Sequence, residues 1–306
     1  MKSLNAHAAL VVSLLIASMP AYADHNEWHT HIVNGARALD QGKYEAAQTE
    51  LELALKECDS FKVNDPRRAI SLNELGLLAL EQEKNKEAED YFNKALAIRE
   101  QVLGKQHVDT ASTLDNLSAV YDAQGKAKDA DTAARRALQI KEKALGANSP
   151  AVAVTLDNLA GICETEGKCE EAETLAKRAL AIRTKNPASP ELATALNHYA
   201  GLCISHGKAA EIESMYKKAI AIDEKQLGPN HPALARDLNN LAGFYVKQGK
   251  YKEAEKNCIR ALNIRKKAFG PESPQVAESL KNCAALMKKL GKTAEAKSYE
   301  AEASSK

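Results

Sequence analysis

Read along its length, the chain repeats one hydrophobic pattern. Leucine stands at positions 72, 114, 156, 196, 238 and 280, spaced by 42, 42, 40, 42 and 42 residues. Three residues further on come Leu75, Leu117, Leu159, Tyr199, Leu241 and Cys283. Only small residues follow these: Gly76, Ser118, Ala160, Ala200, Ala242 and Ala284. Apolar positions at i, i+3 and i+4 lie on one face of a helix. Each of these stretches is therefore predicted to be helical with one buried stripe. Several open on Ser-Pro (Ser149-Pro150, Ser189-Pro190, Ser273-Pro274). Serine can cap the free amides there, and proline tolerates the first helical position because its missing N–H would have no partner.

A glycine closes each stretch (Gly125, Gly167, Gly207, Gly249, Gly291), and a second helical pattern follows. It carries alanines seven apart, as in Ala88 and Ala95, Ala130 and Ala137, Ala172 and Ala179, and Ala254 and Ala261. A Leu-Gly or Phe-Gly stop often ends it, at Gly146 and Gly270 for instance. Glycine suits the left-handed cap of a helix. Two amphipathic helices per period, recurring many times, are the mark of a helical repeat array in which neighbours bury each other's stripes.

The phrase LDNLSAVYDAQGKAKDADTAARRAL, with its Leu-small pair, aromatic, glycine and spaced alanines, resembles a tetratricopeptide repeat. The 42-residue spacing resembles the longer repeats of kinesin light chains and their bacterial relatives. The resemblance implies an all-α, right-handed superhelical solenoid of about seven helix-turn-helix units. They begin near residues 25, 66, 108, 150, 190, 232 and 274, and form a single domain over 24–306. The first unit is degenerate but keeps Gly35, Gly42, Tyr44, Ala47 and Ala54. The fifth puts Ile212 where alanine is usual.

The resemblance also implies a site. In that family the first helices line a concave groove, and the residue before the Leu-small pair faces into it. Here that residue is Asn116, Asn158, Asn240 or Asn282, with Glu74 and His198 as departures; the preceding position adds Asn73, Asp115, Asp157, Asn197, Asn239 and Lys281. An amide side chain both donates and accepts, so a row of them can pair with an extended peptide backbone. Asp115 and Asp157 against Lys281 would then select side chains. The function expected is a non-enzymatic scaffold that binds an extended peptide or a partner's helix. The alternatives are a self-assembling structural protein and a metal- or redox-responsive one built on Cys163, Cys169, Cys203 and His206.

Composition adds limits. The 306 residues are 44% hydrophobic, 27% charged and 5% aromatic, which fits a helix-rich soluble chain. Residues 1–23 read as an export signal: Lys2, an apolar run over 8–19, and the small-x-small Ala21-Tyr22-Ala23. Cleavage after Ala23 would deliver a periplasmic or secreted protein, with no later segment apolar enough to enter a membrane. Lys2 is the segment's one charge, and the 42 lysines and arginines exceed the 41 acids by that residue alone. A neutral mature chain disfavours nucleic acid as a partner.

No catalytic frame or phosphate loop is present, so no enzyme activity and no cofactor are expected. Six cysteines in an oxidising compartment invite disulfides. The candidate pairs are Cys258 with Cys283, on facing positions of adjacent helices, and Cys163 with Cys169.

Overall fold

The computed structural model describes residues 26–304 apart from Val63, Ala188, His206 and Lys208, with nothing said of the side chains of Asn26 and Ser205. The expected signal segment and His206 therefore lie outside the described residues. The described residues hold fourteen α-helices and no strand. They divide into two compact units, with the boundary after Lys168 inside the fourth repeat.

The first unit contains α1 (Asn26–Asp40), α2 (Tyr44–Glu57), α3 (Pro66–Glu81), α4 (Asn85–Val102), α5 (Val108–Ala123), α6 (Ala127–Leu145) and α7 (Pro150–Thr165). The second contains α8 (Cys169–Arg183), α9 (Pro190–Leu202), α10 (Ala209–Leu227), α11 (Pro232–Lys247), α12 (Tyr251–Phe269), α13 (Pro274–Lys289) and α14 (Thr293–Ser304). Within each unit, every helix packs on the next in sequence.

Local chemistry sets the helix starts. Ser149, Ser189 and Ser273 accept the backbone N–H of Val152, Leu192 and Val276, while Asp65 accepts that of Arg67. His107 and His231 do the same work through Nδ1, accepting from Asp109 and Ala233. The turn between paired helices needs a left-handed residue. Gly125 fills it with φ 75°, but the second repeat places Glu83 there at φ 60°.

Packing between paired helices follows a size rule. In the first two repeats the small residue of the first helix meets a large one on the second helix. A Cβ on Gly76 would come within 2.6 Å of the Phe92 ring, and one on Gly35 within 2.6 Å of Leu51. Where the first helix instead carries Ala200 or Ala242, Tyr216 and Cys258 stand in the same core. Trp28 anchors the degenerate first repeat: it is 1% exposed and its Nε1 donates to Ser71 at 3.0 Å. Among the side chains of α14, Ala296 is the buried one.

Candidate functional site

The asparagine row lies on the first helices, and each unit holds its own part of it. In the first unit, Asn116 Nδ2 donates to Asn73 Oδ1 at 3.0 Å, joining α5 to α3. Asn73 is 3% exposed, whereas Asn116 and Asn158 are half-buried. Glu74, where the third to seventh repeats have an amide or histidine, is wholly buried. No donor reaches either of its carboxylate oxygens within hydrogen-bonding geometry. Burial pushes its pKa up to about 7, opposed by the Asn73 side chain and the charge of Arg99, and aided by Asp40.

In the second unit, Asn197 is buried and spends its Nδ2 on Ala193 O at 3.1 Å. His198 and Asn239 are half-buried, and Asn240, Lys281 and Asn282 are exposed. The row therefore divides. Asn73 and Asn197 support the helices, while Asn116, Asn158, Asn240 and Asn282 keep surface from which an amide can reach a ligand.

The expected acidic selectors sit elsewhere. Asp115 is 5% and Asp157 7% exposed. Lys141 from α6 makes a very short ion pair with Asp115, and Thr155 from α7 donates to the same oxygen at 2.8 Å. Burial raises the Asp115 pKa, with Lys141 and Thr155 pulling against it. A charge so enclosed is structural, which removes Asp115 from the residues that a partner could read. Its position points inward because it lies one residue before the row, about 100° round the helix.

This contact belongs to a recurring polar node that the sequence reading missed. Arg99 Nη1 donates to Thr113 Oγ1 at 2.6 Å and to Asp109 O at 2.8 Å. Arg265 Nη1 donates to Ser279 Oγ at 2.9 Å and to Gln275 O at 3.1 Å. In each case a second helix sends a cation into the next first helix. The signal was available: Arg99, Lys141 and Arg183 are 42 apart, and Ser71, Thr113 and Thr155 likewise.

The outer faces carry a second recurring pair. Lys126 bonds Glu89 at 3.0 Å and Lys250 bonds Glu213 at 3.2 Å, each tying a turn to the preceding second helix. Lys217, Lys250 and Tyr245 crowd Glu213, and hydrogen bonding led by Lys217 drives its pKa down to about 2. Near the C-terminal end, Lys247 and Lys281 are exposed. Lys288 pairs with Glu300, and Lys289 lies 5.8 Å from the centre of the Tyr251 ring.

Cys258 on α12 and Cys283 on α13 are joined by a disulfide, their Cα atoms 5.9 Å apart. Cys163 and Cys169, the other candidate pair, are both thiols. Cys163 is turned into the core of its unit, whereas Cys169 opens α8 in solvent. Cys203 is a buried thiol 3.8 Å from Glu173, and burial raises its pKa. Among the described residues no three His, Cys, Asp or Glu side chains converge as metal ligands. No described helix is long and apolar enough to cross a membrane.

Comparison with known proteins follows the same lines. Among curated proteins no sequence matches. Of solved structures, a Podosopora anserina protein of kinesin-light-chain type, with nearly identical TPR-like repeats, is 23% identical. It covers 67% of this chain and 98% of its own, with a TM-score of 0.55. BtubC (BKLC) from P. vanneervenii is also 23% identical, over 79% of this chain and 92% of its own, at TM-score 0.57. The Rap conjugation gene regulator of plasmid pLS20, in complex with the Phr* peptide, is 15% identical over 94% and 76%, at TM-score 0.66. At these identities the likeness is one of fold. The family model for the tetratricopeptide repeat matches residues 35–101, 67–143, 129–185, 191–243 and 237–305. Those segments span most of the sequence, and the chain belongs to the tetratricopeptide repeat family.

Proposed function

We propose that this protein is a non-catalytic scaffold that holds an extended peptide segment, or a helix, of a partner protein against the first helices of its repeats. The observation that carries this reading is the split row of asparagines. Asn73 and Asn197 are spent inside the fold, while Asn158, Asn240 and Asn282 remain open to a ligand. Within the second unit Asn240 and Asn282 stand one repeat apart, and amides at such an interval can donate to and accept from a main chain irrespective of its side chains. The exposed Lys247 and Lys281 favour an acidic residue or a terminal carboxylate in the segment that reaches the C-terminal repeats. A Rap regulator of similar fold binds a peptide, which supports the class of ligand by analogy of fold alone.

We place this activity outside the cytoplasm, after cleavage behind Ala23. The signal pattern of residues 1–23 and the Cys258–Cys283 bridge both support that location. The test is crosslinked capture from the native extracytoplasmic fraction. Wild type is compared with Asn158→Ala/Asn240→Ala, a variant that spares the Asn73–Asn116 bond. A protein retained by wild type and lost from a variant with unchanged helical circular dichroism supports the reading. Equal capture by both, or capture of further copies of this chain alone, rejects it.

A further inference from the structure

The outer stripe of α12, in the second unit, is charged differently from its counterparts in earlier repeats. The position of Lys256 is held there by Asp90, Thr132, Thr174 and Ser214, none of them a cation. Three residues on, Ile259 stands where repeats three to five carry Arg135, Lys177 and Lys217. Arg135 and Lys217 are held by Asp131 and Glu213, one turn back on their own helices. In the sixth repeat the corresponding acid, Glu255, pairs with Lys292 instead. The sixth repeat therefore gains a lysine and sets an apolar residue beside it.

Three other cations of α12 are committed. Arg260 holds Glu224 of α10 at 2.5 Å, Arg265 holds Glu278 of α13 at 3.1 Å, and Lys266 holds Glu302 of α14 at 2.6 Å. Lys256 and Lys267 are exposed, and among the described residues neither has an ion-pair partner. Both line one cleft of about 430 Å³ between α12 and Pro229-Asn230 of the α10–α11 loop, and Arg260 lines it between them. Asn230 and Asn263 add amide groups to the walls, and Pro229 and Ile259 add apolar surface. None of the residues lining it is acidic. A concave site of one sign of charge with apolar walls focuses the field more than the same lysines on a flat surface would.

We propose that this cleft docks an extended acidic segment of a partner protein, at a surface separate from the asparagine row. The row lies on first helices, whereas the cleft is built from a second helix and the loop before α11. The eleven residues from Lys256 to Lys267 rise about 16 Å along the axis of α12. An extended chain covers that distance in about five residues, at roughly 3.3 Å each. Two acidic residues so spaced meet the two lysines, and an apolar residue between them lies against Pro229 and Ile259. The amides of Asn230 and Asn263 can donate to its main chain or accept from it. Nucleic acid fits less well, because no aromatic ring lines the cleft to stack a base.

The experiment is fluorescence anisotropy of a labelled peptide, Asp-Asp-Leu-Gly-Leu-Glu-Glu, titrated with the full chain at low salt. Lys256→Ser, which installs the residue of the fifth repeat, and Lys267→Gln should each weaken binding about fivefold, and together about 25-fold. Lys252→Ser removes the same charge from α12 outside the cleft and should weaken it by less than about twofold. Asn240→Ala/Asn282→Ala should leave it unchanged, so a failure of the groove reading and a failure of this one are told apart. Each variant is checked for unchanged helical circular dichroism. Equal loss from Lys252→Ser would mean attraction to net charge alone, and loss from the asparagine variant would put the peptide on the row; either result overturns the proposal. So does a peptide that fails to bind the wild type. Tighter binding of polyphosphate or single-stranded DNA, abolished by the same two lysine substitutions, overturns it as well, because the cleft would then serve another class of ligand.

Discussion

Breaking the Cys258–Cys283 bridge is the sharpest perturbation of the second unit. The two cysteines are 25 residues apart in sequence and lie in its core, 3% and 0% exposed. Reduction leaves two thiols in the same packed positions, so little apolar burial is lost and the native helices keep their contacts. The effect falls chiefly on the unfolded chain, which regains the freedom of a 25-residue loop. The chain-entropy expression for a loop of that size gives about 3.5 kcal/mol at 25 °C. Urea unfolding by circular dichroism, with and without reductant, measures it. The second-unit transition should move to lower urea by an amount corresponding to about 2–4 kcal/mol. The fluorescence of Trp28, the chain's only tryptophan, follows the first unit separately. Thiol titration in denaturant should find four reactive cysteines of the six before reduction. Six titratable thiols in protein isolated without reductant, or identical midpoints oxidised and reduced, would refute the reasoning.

Three further outcomes are expected from single substitutions. Glu83→Gly should stabilise the first unit by about 1 kcal/mol in thermal unfolding, because Glu83 holds φ 60° where glycine costs nothing. Lys141→Ala should cost about 3–5 kcal/mol by stranding the buried Asp115 carboxylate, whereas Asp115→Leu/Lys141→Met should be nearly neutral in the same urea assay. Glu74→Gln should raise stability by about 1 kcal/mol at pH 5 and by about 3 kcal/mol at pH 8. The folded carboxyl titrates near 7 against 4.5 unfolded, so its penalty grows as pH rises between those values. A pH-independent gain would show that the effect comes from packing and not from charge.

The local pattern was enough to determine the repeat, the helix pairs and the three Ser-Pro caps, because a helix start is a local event. Ser149-Pro150 supplies both its cap and its first residue from adjacent positions in the chain. The facing of Cys258 and Cys283 was legible for a related reason: once helices of fixed length alternate, facing positions follow from the period. The degenerate first repeat also followed from the pattern, since Gly35 and Leu51 keep the size rule that Gly76 and Phe92 obey.

What the tertiary structure decided is which polar residues are spent. Asp115 and Lys281 occupy the same position in the repeat, yet one is enclosed by Lys141 and Thr155 and the other stands in solvent. Asn73 and Asn116 look alike in sequence terms, but one is buried as acceptor and the other is its half-buried donor. Periodicity records which face of a helix a residue occupies; the free energy of a polar group depends on what the neighbouring repeat places opposite it, and that is a property of the packed chain.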